Sequence, residues 1–374
     1  MRIGILTQPL HTNYGGILQN YALQQILKRM GHSVTTIRHT NPEKSLLEQW
    51  KGWLKYTVLH FLSPGKYDKP SVVIDRRDKL AIRKNTDLFI EKHIDCAPAI
   101  SSHEEFSALG KAGYDAFIVG SDQCWRYKYN KPFIYEMFLS FLPDDSSARR
   151  LAYAVSFGTD AWELDDEQTR VCSGLAKKFS AISVREDSGV KLCKEYLGVD
   201  STRTLDPTLL LDRNDYLVLI KEESDEISQK TLFTYILDPN AGTSAFIDSA
   251  AKRTGLTPYN ILPKRPDSFK TCCQPSPAKW LKSIYESEMT IVDSFHGMVF
   301  SILFNKPFWV IGNPARGMSR FTSLLKVFGL EDRLIQISDI DSIDILRSID
   351  WSRVNQTLEM ERSKSMGMLR KCLD

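Results

Sequence analysis

The sequence predicts an α/β protein of two domains built on parallel sheets. Short apolar runs alternate with helix-period segments almost from end to end, the pattern of strands joined by crossover helices. The 374 residues exceed what one ordinary core serves and suit two. Hydrophobic residues make up 42% and charged residues 25%, the mix of a globular, soluble chain.

The opening strand is Arg2–Leu6, followed by a polar loop, Thr7–Gly16. A helix comes next, with Leu23, Ile26, Leu27 and Met30 on one face and a stop at Gly31. Ser33–Ile37 reads as the second strand. Leu46, Leu47, Trp50, Leu54 and Phe61 then fall at helical spacing with lysines between them. The aromatic stripe at Trp50, Trp53 and Phe61 reads as core packing, with an interfacial helix as the alternative. Val73–His93 predicts a second, more charged helix. The basic run Lys66–Lys84 also holds Asp68, Asp75 and Asp78, so it reads as a solvated helix face.

Later strands are predicted at Ala116–Val119, Ala152–Ser156, Ala181–Val184, Leu232–Leu237, Pro258–Leu262, Thr290–Val292 and Phe308–Ile311. A strand-like run, LDPTLLL, gives way to the charged stretch KEESDEISQK. That change sets the domains at 1–215 and 216–350, with a last helix in 351–374 expected to pack back on the first domain.

Several function classes are excluded early. A net charge of +3 leaves no broad field for nucleic acid. The seven cysteines are scattered and contain no C-x-x-C pair, which predicts free thiols in a reducing compartment and no zinc site. The first residues lack a secretory signal, and no run reaches the ~20 apolar residues of a membrane span. The expected location is the cytoplasm, with loose association to the inner face of the membrane left open.

Four segments could carry chemistry. In residues 290–312, a strand leads into a helix whose N-cap is Ser294, which puts His296 in the first turn. Backbone N–H groups there face the carboxyl edge of the strand, and Gly297 would let an anion approach. His296 is the one side chain there of a type that can carry a proton near neutral pH; hydrogen bonding to a nearby loop is the alternative. In FIVGSDQCWR, Ser121, Asp122 and Gln123 gather at a strand end. Asp122 is either a base for a sugar hydroxyl or a helix cap. In NYGGILQNYAL, Asn13, Tyr14, Gly15, Gly16 and Gln19 offer neutral hydrogen bonds and close approach suited to sugars, or a structural Gly-Gly turn. In AISVRED, Arg185 ends a strand and could fork onto a carboxylate or phosphate, or pair with Glu186 or Asp187. Arg316 and Arg320 are further candidates to grip an anion.

In this order, the segments NYGGILQNYALQQILKRMGH, FIVGSDQCWR, LAYAVSFG, ISVREDSG, LDPTLLL and DSFHGMVFSILFNKP resemble the polysaccharide pyruvyl transferase family. The resemblance covers most of the chain. It implies two Rossmann-like domains facing a cleft, similar to the GT-B glycosyltransferase architecture. It also implies transfer of a pyruvyl group from phosphoenolpyruvate to a pair of sugar hydroxyls, giving a ketal on a cell-surface polysaccharide or its precursor. The acceptor would be a sugar or lipid-linked saccharide; no metal and no cofactor beyond the co-substrate are expected.

By the same resemblance His296 matches the catalytic histidine and Arg185 the donor-binding arginine; Asp122 is the candidate base on its own chemistry. Many members carry Arg-Leu-His where this chain has Ser294-Phe295-His296; either Arg316 or Arg320 supplies the missing positive partner, or the donor differs. Two rivals stand beside this reading: a nucleotide-sugar glycosyltransferase or epimerase of the same fold, and a glycan-binding relative without catalysis.

Overall fold

The structure, a computed structural model, describes residues 1–40, 46–62, 76–224, 230–262, 273–313, 317–337 and 343–373. Its strands are short, and those inside the sheets are mostly buried on both faces, as expected where both faces of a parallel sheet are covered. In the first sheet these are β1 (Arg2–Leu6), β2 (Ser33–Ile37), β3 (Ala116–Val119), β4 (Arg149–Val155), β5 (Ala181–Val184) and β6 (Thr202–Arg203). They lie in the order β2-β1-β3-β4-β5-β6, and every pairing is parallel. The second sheet contains β7 (Thr231–Tyr235), β8 (Thr257–Asn260), β9 (Met289–Val292), β10 (Phe308–Ile311) and β11 (Leu334–Ile335). Its order is β11-β10-β9-β7-β8, again parallel throughout. Two parallel-sheet α/β domains are therefore the architecture of this chain.

Strand order decides where a ligand can sit. In the first sheet the order reverses at β1, which lies between β2 and β3; in the second it reverses at β7, between β8 and β9. Loops leaving the carboxyl ends of strands on either side of such a reversal turn to opposite faces and open a crevice. Here those loops follow β1, β3, β7 and β9.

Helix α1 (Tyr14–Arg29) follows β1 and is almost entirely buried. It ends where Gly31 takes φ +86°, a conformation glycine adopts without a Cβ penalty. One continuous apolar core joins α1 to the second domain through Tyr216, Trp280 and Phe300. Tyr14 of α1 stacks on Trp280 of the second domain with ring centroids 5.4 Å apart. Each large apolar side chain buried this way contributes about 1.5–3 kcal/mol, so the two domains are packed against each other through their cores. The final helix, Trp351–Leu373, returns to the first domain. There Ser365 accepts from the Leu205 N–H, and Arg362 donates to the carbonyls of Leu209 and Leu211.

The structure departs from the sequence expectations in several places. LDPTLLL is no strand: Pro207–Leu209 form a 3-10 turn capped by Asp206, because Pro207 has no N–H to offer a ladder. β6 and β11 are two residues each, too short to show a period. β4 starts earlier than predicted, at Arg149; Arg150 is buried, its charge satisfied by the carbonyls of Leu142 and Pro143. Helices α2 (Leu46–Leu62) and α3 (Arg76–His93) are present. The start of the predicted helix at Val73, the run from Lys66 to Asp75, Arg316 and part of the charged stretch at the domain junction lie outside the described residues. The stripe expected to pack in a core is exposed instead: Trp50 58%, Trp53 45% and Phe61 80%. Among the described residues no helix is long and apolar enough to cross a membrane.

Candidate active site

The carboxyl ends of β1, β3, β7 and β9 meet around a small crevice of about 100 Å³. Asn13 and Gly15 line it from the first sheet's β1 side, and Asp122 and Gln123 from its β3 side. The second domain contributes Tyr235, Asp293, Ser294, Phe295, His296 and Arg320.

His296 owes its position to local sequence. Strand β9 is fully buried and ends at Val292; the Ser294 hydroxyl then accepts from the Gly297 N–H at 3.0 Å, starting the helix Phe295–Leu303. Asp293 ties the two loops of the second sheet together by accepting from the backbone N–H groups of Leu237 and Asp238 at 2.8–2.9 Å. The imidazole points across the domain boundary. Its Nε2 lies 3.4 Å from Asp206 Oδ2, within ion-pair range though longer than a well-made hydrogen bond. Its Nδ1 faces α1, where a Cβ built on Gly15 would come within 2.0 Å of it. Only glycine lets the start of α1 lie against this ring.

Asp206 is the hub. Its Oδ2 accepts from Ser121 Oγ at 2.8 Å and from Arg185 Nη1 at 2.9 Å, while Oδ1 accepts from the backbone N–H and hydroxyl of Thr208. Burial acts to raise the Asp206 carboxyl, but His296, Arg185 and Thr208 together pull it far below the ordinary carboxylate range. It is an anion at any working pH.

Arg185 is 3% exposed. Besides Asp206, its Nη2 lies 3.4 Å from Asp122 Oδ1 and its Nε 3.9 Å from Glu186 Oε2. Burial acts to lower its pKa, and the three carboxylates overrule that and raise it. Its guanidinium also lies over the Phe295 ring, 4.6 Å from the centroid, and Arg320 approaches the same ring at 5.8 Å. Burial, reinforced by the Arg185 charge, brings the Arg320 guanidinium down to about 10, so it remains a cation at neutral pH.

Asp122 holds φ +81°, a left-handed conformation uncommon for a residue with a side chain and most tolerated by Asn and Asp. It does not cap the next helix, whose N-cap is Arg126. Its carboxylate faces Arg185 and the crevice instead.

The polysaccharide pyruvyl transferase family profile matches residues 13–314, most of the chain. The chain belongs to this family. No curated protein sequence matches it. Among solved structures it is similar to the spinosyn rhamnosyltransferase SpnG complexed with thymidine diphosphate, at 11% identity and TM-score 0.47, with 100% of each chain covered. It is also similar to the Methanocaldococcus jannaschii UDP-GlcNAc 2-epimerase in complex with UDP-GlcNAc and UDP, at 10% identity and TM-score 0.47, covering 100% of this chain and 99% of that one. A third is the Neisseria meningitidis UDP-GlcNAc 2-epimerase bound to UDP-GlcNAc, at 9% identity and TM-score 0.44, with 100% and 99% covered.

Several site residues read from the sequence turn away from the crevice. Because α1 begins at Tyr14 and not after Gly16, those residues occupy its first turns. Tyr14 is fully buried and donates its hydroxyl to the Pro275 carbonyl. Gln19 is fully buried, its amide donating to Thr7 Oγ1 and the Gly16 carbonyl. Gly16 packs against Asn13 and Asp122. Ser121 is fully buried and bound to Asp206. Gly297 does not open space for an anion; a Cβ there would press on Ser294 Oγ and Val292. Arg185 does not reach into the crevice as a gripping fork, since its charge is engaged by carboxylates behind it. Arg320 does line the crevice.

The sequence pattern does not mark Asp206 as a site residue, and it marks Phe295 as a buried helix position without showing that two arginines lie over its ring. The available signal was an acid embedded in an apolar run, LDPTLLL. Among the described residues, no group of three or more His, Cys, Asp or Glu is arranged to hold a metal ion.

Proposed function

We propose that this transferase moves the pyruvyl group of phosphoenolpyruvate onto two hydroxyls of a sugar, forming a ketal on a polysaccharide or its precursor and releasing phosphate. The observation that carries this is His296, held between Gly15 and Asp206 where the strand reversals of the two sheets face each other. With Asp206 on Nε2, the nitrogen left to work on substrate is Nδ1. His296 delivers a proton to C3 of the enol, which makes C2 electrophilic. A sugar hydroxyl adds to C2 and passes its proton to Asp122. The C2–O bond to phosphate breaks, the phosphate leaving with its bonding pair. The second hydroxyl then adds, and its proton balances the departing phosphate.

The donor carries a carboxylate and a phosphate. Arg320 and the start of the helix Phe295–Leu303 supply positive potential on the crevice side. Arg185 contributes from behind, as the cation that fixes Asp206 and Asp122. The acceptor would enter past Asn13 and Gln123, at the crevice's first-domain side.

Incubation with phosphoenolpyruvate and candidate glycans tests this. Phosphate release together with a pyruvate ketal signal in the NMR spectrum is expected, with both lost in His296→Ala. Ketal formation that persists unchanged in His296→Ala removes His296 from the chemistry. Turnover of a nucleotide sugar, or thermal stabilisation by glycan without any response to phosphoenolpyruvate, replaces the proposal with one of its rivals.

A further inference from the structure

Helix α2 presents an apolar face to solvent. Leu47, Trp50, Trp53, Leu54, Val58 and Leu62 are 60, 58, 45, 45, 50 and 75% exposed. Leu47, Trp50, Leu54 and Val58 recur at the three- and four-residue spacing that lines one side of a helix. Lys51 and Lys55, both exposed, border this face. Isolated exposed apolar residues need no explanation, but a contiguous stripe marks an interaction surface.

We infer that α2 docks the protein on an anionic lipid surface. Two features select this occupant. Tryptophans beside lysines on one amphipathic helix match the chemistry of the membrane interface, where indole rings settle at headgroup depth and ammonium groups reach the headgroups. Charge also selects it. Residues 46–84 hold nine Lys and Arg against four Asp and Glu, a surplus of five, although the whole chain carries only +3. Lysines on the same helix as an apolar face draw it to anionic headgroups. The same surplus opposes a second copy on this face, because two like-charged segments would meet. The inference is independent of the reaction catalysed.

The full chain, sedimented with vesicles of phosphatidylcholine alone and of phosphatidylcholine with roughly one-third phosphatidylglycerol, tests it. Wild-type protein is expected to bind the anionic vesicles, with affinity falling about tenfold at high salt or on neutral vesicles. Trp50→Ser with Trp53→Ser and Leu54→Ser should abolish binding to both, leaving the melting temperature unchanged. Lys51→Glu with Lys55→Glu should remove only the preference for anionic lipid. Wild-type protein that stays in the supernatant with anionic vesicles overturns the inference. So does a dimer, seen by light scattering, that the serine variant converts to monomer, since a second copy then covers the face.

Discussion

His296 Nε2 lies 3.4 Å from Asp206 Oδ2, and the two residues follow strands of different sheets. The contact joins the domains at the point where chemistry is proposed. A histidine whose one nitrogen faces a permanently ionised carboxylate has its ring orientation and its other nitrogen defined. Asp206 is in this sense a positioning residue, acting through His296.

Asp206→Asn keeps the shape and removes the charge. Turnover is expected to fall by about 10²-fold, with a much smaller change in KM, because the carboxylate acts on His296 and not on substrate. Folding stability should fall by about 3–5 kcal/mol, the cost of breaking a buried ion pair from one side. Steady-state kinetics and urea denaturation measure the two separately. A KM effect with kcat intact would mean that Asp206 shapes the donor site instead.

Gly15→Ala tests the domain contact at its tightest point. A Cβ there would lie 2.0 Å from His296 Nδ1, so the ring or the start of α1 must move. Overpacking of this kind costs about 1–3 kcal/mol, and misplacing the working nitrogen should lower kcat by at least about tenfold. Wild-type kcat in this variant would show that His296 Nδ1 does not work at that position.

At Asp122, backbone and chemistry can be told apart. Its φ of +81° is tolerated by Asn far better than by Ala. Asp122→Ala is expected to be less stable than Asp122→Asn by about 1 kcal/mol. Both should lose activity alike if the carboxylate accepts a proton. An Asp122→Asn enzyme with full kcat would reduce this residue to a structural partner of Arg185.

His39 predicts how stability depends on pH. Its ring is buried, close to Phe106 and Phe133, and burial lowers its pKa from 6.5 to about 4. Between those values the unfolded chain binds a proton that the folded chain does not. The stability contributed here is therefore complete above 6.5 and is lost as pH falls toward 4. The slope is about 1.4 kcal/mol per pH unit, or about 3 kcal/mol over the window. Urea denaturation at a series of pH values should show that slope, and His39→Phe should flatten it.

Continuous apolar runs and helical periods are local properties, so the alternation of strands and helices is legible without coordinates. Nine strands could be read this way within a few residues, as could Ser294 as the cap that sets His296 in a first helical turn. The sequence also carried the family, since ordered motifs survive without coordinates. Three-dimensional packing decided the rest. Asp206 sits in a run that reads as apolar strand, yet Pro207 turns it and Arg185, Ser121 and His296 converge on it from segments distant in sequence. Tyr14 and Gln19 are polar letters near a glycine turn, but helix phase rotates them into the core. Trp50 and Trp53 have the spacing of a buried face, and spacing is the same whether a partner covers that face or solvent meets it. Periodicity specifies which residues share a side of an element; what that side meets depends on contacts between segments far apart in the chain.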